Sequence, residues 1–127
     1  MKFLHTMIRV KDIEKSLDFY GNVLGLKQVR TKRLEDCMLY FLEDENGAQI
    51  ELTFNDETPE NGYSQGSAFG HLAFAVDSFE EFSERLEKFG YKYLYEPFDL
   101  DGKGSIIAFV NDPDGNEVEL VQHVNWD

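Results

Sequence analysis

The chain has one cysteine, one tryptophan and three prolines in 127 residues, and 12 basic residues against 25 acidic ones. A single thiol, Cys37, excludes an internal disulfide and suits a reducing cytoplasm. Asp36 beside it raises a thiol pKa, so Cys37 reads as a packed strand residue and not as a nucleophile. The shortage of base leaves a formal charge of −13. That argues against nucleic acid or an anionic membrane surface as a partner, since both demand a basic face. No apolar run approaches the length of a membrane span, and MKFLHTMIRV is too polar for a signal peptide. What is present is 42% apolar residues, enough to fold, in a length that suits one domain or two very small modules sharing a core.

The chain repeats itself. FLEDENGAQIEL, from Phe41 to Leu52, aligns without a gap on FVNDPDGNEVEL, from Phe109 to Leu120. Phe41 falls on Phe109, Asp44 on Asp112, Gly47 on Gly115 and Glu51 on Glu119. Earlier in each half, HTMIRV at His5 matches HLAFAV at His71. Such self-similarity means one supersecondary unit used twice.

Each half carries a β-α-β-β-β rhythm. Lys2–Val10 alternates as a strand, with Phe3, His5, Met7 and Arg9 on one face. Asp12 caps a helix with Ile13, Leu17, Tyr20 and Leu24 at helical spacing, closed by Gly25. Strands are predicted near 27–34, 37–43 and 48–54, with a turn at Glu45-Asn46-Gly47. Residues 56–67, DETPENGYSQGS, are turn formers and read as a linker between a first module, 1–55, and a second, 68–127. The second module gives a strand over Phe69–Val76. A helix follows, capped by Ser78 with Glu81 and buried along Phe79, Phe82, Leu86 and Phe89, and then strands near 92–96, 104–111 and 116–123. The fold class is therefore α+β, two tandem βαβββ modules.

Four residues of this repeat carry chemistry. His5 lies on the first strand of one module and Glu51 on its last; His71 and Glu119 repeat the arrangement. Alternate side chains of a strand share a face, so each pair can be aimed at one concave surface. Two neutral imidazoles and two carboxylates neutralise a divalent cation and leave two octahedral positions open. A lone strand histidine is more often structural than a ligand, and a glutamate on an edge strand is usually solvated. That bland alternative has to account for four matched positions together. His123, four residues after Glu119 on the same predicted strand face, is a competing candidate without a counterpart in the repeat, and reads as a tail residue.

With these residues in view, the chain resembles the glyoxalase I family of the vicinal oxygen chelate superfamily. The carrying segments are LHTMIRVKDIEKSLDFYGNVLGLK at Leu4–Lys27, IELTFN at Ile50–Asn55, FGHLAFAVD at Phe69–Asp77 and IAFVNDPDGNEVEL at Ile107–Leu120. The resemblance implies paired βαβββ modules forming a curved mixed sheet, and a metal held by His5, Glu51, His71 and Glu119. It implies a cytoplasmic lyase that isomerises the thiohemiacetal of methylglyoxal and glutathione to S-lactoylglutathione by proton transfer through an enediolate. Glu119 is then the main base and Glu51 its partner. Arg9 and Asn55 match the family's glutathione-holding positions, and Lys103 is a further candidate whose alternative is a solvated turn lysine. The short loops around 32–38 and 43–48 resemble the short bacterial type, which implies Ni2+, with Co2+ or Zn2+ as alternatives. The family also implies a homodimer with sites at the interface. Two other readings stay open: an acyl-CoA epimerase of the same superfamily, which usually carries Gln where Glu51 stands, and a non-catalytic drug-binding protein of the same fold, which lacks the metal set.

Overall fold

The computed structural model describes residues 1–123. The end of the second module as bounded from sequence, 124–127, lies outside the described residues. The chain divides into two units, Met1–Ser64 and a second beginning at Gln65.

The first unit runs β1 (His5–Arg9), α1 (Ile13–Leu17), β2 (Lys27–Arg33), β3 (Cys37–Glu43) and β4 (Gln49–Asn55). Its four strands lie in the order β1-β4-β3-β2. β1 pairs parallel with β4, and the other neighbours are antiparallel. The sheet is thus mixed, and the helix between β1 and β2 packs over β4. Asp12 caps α1 by accepting the Lys15 N–H. The second unit repeats the plan with β5 (Leu72–Ala75), α2 (Phe79–Lys88), β6 (Tyr93–Asp99), β7 (Ile106–Asn111) and β8 (Glu117–Gln122). Its order is β5-β8-β7-β6, again with the one parallel pair, β5 with β8. Each hairpin that delivers a Glu strand turns on a matched motif. Asp44 accepts the N–H groups of Asn46 and Ala48, and Asp112 those of Asp114 and Asn116. Gly47 and Gly115 sit in these turns at φ +88° and +86°, where an L side chain is strained.

Four expectations are corrected. β1 starts at His5, not Lys2, and β5 at Leu72, not Phe69, so His71 stands one residue before its strand. Strands persist only where a partner offers ladder bonds, and the parallel partner of β5 is met from Val118 onward. The first helix is not α-helical to Leu24. After Leu17 it widens into a π-helical turn, Asp18–Val23, in which Leu24 N–H reaches back to the Phe19 carbonyl. The buried face is Ser16, Phe19, Tyr20 and Val23, with the Phe19 and Tyr20 rings 4.9 Å apart, while Ile13, Leu17 and Leu24 are only half-buried. Gly25 stands 13 positions after Asp12, and Gly90 stands 12 after Ser78. The π turn takes up that one surplus residue.

β6 extends beyond 96 to Asp99, through Pro97. A proline lacks the ladder N–H, but β6 is an edge strand and its register shifts between Tyr95 and Phe98, so no bond is lost there. Finally, β8 ends at Gln122. His123 is exposed in a left-handed conformation at φ +55°, so it does not continue the strand face that carries Glu119.

Candidate metal centre

Each module brings its own histidine and glutamate together. In the first, Met7 and Phe41 flank Glu51 in register on either side of β4, and His5 enters the same face two residues before Met7. His5 Nε2 comes 3.5 Å from Glu51 Oε1. In the second, Ala73 and Phe109 flank Glu119, and His71 Nε2 comes 3.6 Å from Glu119 Oε2. Both separations are too long for an N–H···O hydrogen bond. They suit two donors that could share a cation bonded to each at about 2.0–2.2 Å. The carboxylates are well covered, at 12% and 16% side-chain exposure, while the imidazoles keep 30% and 40%. Each pair is thus rooted in its sheet and open at its tip.

A phenylalanine orients each imidazole. Phe41 meets the His5 ring edge-on at 5.5 Å, and Phe109 meets His71 at 5.4 Å with nearly the same interplanar angle, 84° and 87°. Edge-to-face contact fixes a ring plane without using either nitrogen. Behind each phenylalanine the two modules diverge. Arg30, paired with Phe41 in register, stacks its guanidinium 4.1 Å from that ring. Tyr95 holds the matching place beside Phe109, edge-on at 5.8 Å. The carboxylates diverge as well. Thr53 Oγ1 donates to Glu51 Oε2 at 3.0 Å, whereas the residue two after Glu119 is Val121.

The other sequence candidates scatter more. Arg9 is exposed at the end of β1, on the His5 face. Asn55 ends β4 and donates to the Tyr63 hydroxyl at 2.9 Å. Lys103 lies exposed in a loop folded around Asp99 and Asp101, whose carboxylates accept six donors from residues 101–105. Among the described residues no hydrogen bond or ion pair joins Lys103 to His71 or Glu119. The Asp101 carboxyl is held below its ordinary value, first by the Ser105 hydroxyl and then by the Lys103 N–H. This loop is therefore a self-satisfied turn.

A family model described as the Glyoxalase/Bleomycin resistance protein/Dioxygenase superfamily matches residues 2–120. The chain belongs to the glyoxalase family.

Within the glyoxalase family, this chain is 39% identical to a lactoylglutathione lyase of Neisseria meningitidis over 132 aligned positions, covering 100% of this chain and 94% of the relative. Glyoxalase I from Zea mays superposes with a TM-score of 0.84 at 32% identity, over 98% of this chain. This chain spans under half, 45%, of that longer plant chain. Trypanothione-dependent glyoxalase I of Leishmania major gives a TM-score of 0.76 at 34% identity, over 96% of this chain and 86% of that one. No helix among the described residues of this glyoxalase-family chain is long and apolar enough to cross a membrane.

Sequence reasoning missed Thr53, Arg30, Tyr95 and Tyr63 as neighbours of the candidate site. For Thr53 a signal existed: two residues on from Glu51 in a strand is the same face. For Arg30 and Tyr95 it existed only in the register against Phe41 and Phe109, which a single sequence does not print.

Proposed function

We propose that this chain is a metal-dependent lactoylglutathione lyase. It would convert the thiohemiacetal of methylglyoxal and glutathione to S-lactoylglutathione, and so detoxify methylglyoxal in a reducing cytoplasm. The observation that carries the reading is the duplicated His–Glu pair, His5 with Glu51 and His71 with Glu119, each edged by a phenylalanine. Two neutral imidazoles and two carboxylates are a hard-to-borderline donor set that suits a divalent ion, and Ni2+ is our choice over Co2+ and Zn2+. His5, Glu51, His71 and Glu119 would hold the ion, which would supply positive charge against the negative charge of the enediolate.

The residues of the chain do the rest. The Glu119 carboxylate takes the proton from C1, so a C–H bond breaks and an O–H bond forms. The electron pair moves into the C1–C2 bond and onto the C2 oxygen. The proton is then returned to C2, and the hydroxyl proton of C1 passes to the C2 oxygen, leaving a thioester and a regenerated carboxylate. Glu51 serves as partner base. Arg9 and Asn55 hold the glutathione moiety, and Lys103 is a further candidate for the same contact. Neither redox cofactor nor nucleophile is needed, because the reaction is an isomerisation.

We also infer a homodimer in which each complete site combines His5 and Glu51 of one chain with His71 and Glu119 of its partner. Each module brings one His–Glu pair together, His5 with Glu51 and His71 with Glu119, so each module offers half of the four-ligand set. Purified protein, loaded with divalent metal and given methylglyoxal with a small panel of thiols, tests the activity and the thiol together. Thioester formation with glutathione is the expected result. Its absence with every thiol would overturn the reading.

A further inference from the structure

Two carboxylates that are equivalent in the repeat are not equivalent in their surroundings. A strand places residues two apart on one face, so the side chain after next is the natural second partner of each glutamate. After Glu51 that residue is Thr53, and after Glu119 it is Val121. Threonine and valine have nearly the same shape, and the difference between them is one hydroxyl in place of one methyl. The Thr53 hydroxyl donates to Glu51 Oε2 at 3.0 Å, while Glu51 Oε1 faces His5. Oε2 of Glu51 is thus hydrogen-bonded, and Oε1 is turned toward His5. Thr53 is itself buried, at 6% exposure, so water competes poorly for that bond. Glu119 faces His71 through Oε2, and among the described residues no group donates a hydrogen bond to it.

Resting on the proposed lyase reading, we propose that Thr53 is a positioning residue that divides the labour between the two carboxylates. Its hydroxyl favours one rotamer of Glu51, which is then chiefly the standing ligand and only the secondary, partner base. Val121, at the matching place, leaves Glu119 free to turn away from the metal and act as base. A residue that must both ligate and collect a proton has to change rotamer during each turnover, and a second anchored oxygen opposes that change. The asymmetry therefore sits in the partners of the two glutamates and not in the glutamates themselves.

Three variants test this, with metal affinity read by chelator competition alongside turnover. Thr53→Val should weaken divalent-metal binding about tenfold, while Thr53→Ser, which restores the hydroxyl, stays within about twofold of wild type. Val121→Thr should tether Glu119, tightening metal binding and lowering kcat about tenfold with KM little changed. Wild-type affinity in Thr53→Val would overturn the inference. So would equal weakening in Thr53→Ser and Thr53→Val, which would make the residue's role one of packing. Should Thr53→Val fail to fold, Val121→Thr decides alone, and unchanged affinity and turnover there sink the idea. A wild type that binds no divalent metal and isomerises no thiohemiacetal overturns the proposed function and this inference with it. An active, metal-binding wild type with silent variants overturns this inference only.

Discussion

Asn55 Nδ2 donates to the Tyr63 hydroxyl at 2.9 Å, which ties the end of β4 to the segment that follows it. Asn55 has a second role in the proposed reaction, holding the peptide part of the thiol substrate. Asn55→Ala should raise KM about tenfold with kcat largely kept, the worth of a hydrogen bond to a charged group. Tyr63→Phe removes only the acceptor that orients the amide. It should raise KM less, by about fivefold, equivalent to about 1 kcal/mol. Steady-state kinetics on both variants checks the order; a Tyr63→Phe effect confined to kcat would break the link.

The donor set predicts metal dependence. Chelation should abolish activity, and Ni2+ or Co2+ should restore more of it than Zn2+. Metal-reconstitution titrations read this directly. Full activity in a rigorously metal-free sample would sink the mechanism, whereas better activity with Zn2+ would sink only the choice of ion.

Glu119→Gln keeps an oxygen donor and removes the base. Turnover should fall at least about 100-fold, the usual worth of a general base, while bound metal is largely retained. Near-normal turnover, measured beside metal content, would mean that the base is another residue.

Shared sites predict complementation. Glu51→Ala and Glu119→Ala should each be inactive alone. Refolded together, a mixed dimer gathers both defects into one site and leaves the other intact. Activity should approach about a quarter of wild type under statistical mixing, since half the dimers carry one working site each. Silence from a mixture with mixed dimers verified would show that each chain builds its own site.

Cys37 is buried at the start of β3, and that burial, with Asp36 next to it, pushes its thiol pKa up. The thiolate is the reactive form, so at neutral pH alkylation should be slow in the folded protein and fast after unfolding. Reactivity should climb only as the pH rises past the ordinary thiol range. Rapid labelling of the native protein at neutral pH would contradict the packing described for β3.

Much of this was legible in the sequence because it was written twice. The ungapped match of Phe41–Leu52 with Phe109–Leu120 gave the hairpins, the two glutamates and the glycine turns, since equal spacing in two copies leaves little room for another register. Backbone that depends on a neighbour was not legible. Nothing local says that Pro97 continues a strand; that follows from β6 being an edge with a shifted register. Nor was the buried stripe of the first helix placed correctly: the expected set, Ile13, Leu17, Tyr20 and Leu24, shares only Tyr20 with the observed one, Ser16, Phe19, Tyr20 and Val23, which is itself helically spaced and competes for the same segment. Likewise, the side-chain neighbours of the site, Arg30 over Phe41 and Tyr95 against Phe109, come from strand pairing and not from spacing.

The π turn at Asp18–Val23 holds one residue more than its counterpart in the second module, yet both helices are capped seven positions after their histidines, at Asp12 and Ser78, and both are followed by a glycine. The surplus is absorbed sideways, as girth, and not lengthwise. The extra residue is held in the helix wall, so the chain enters β2 from the same helix exit as it enters β6 in the second module. The strands that carry His5 and Glu51 therefore keep their pairing with the longer helix in place. By the same logic, deleting one residue within that turn, at Asn22, should be far better tolerated than deleting one within β4, where a single step turns Glu51 to the opposite face.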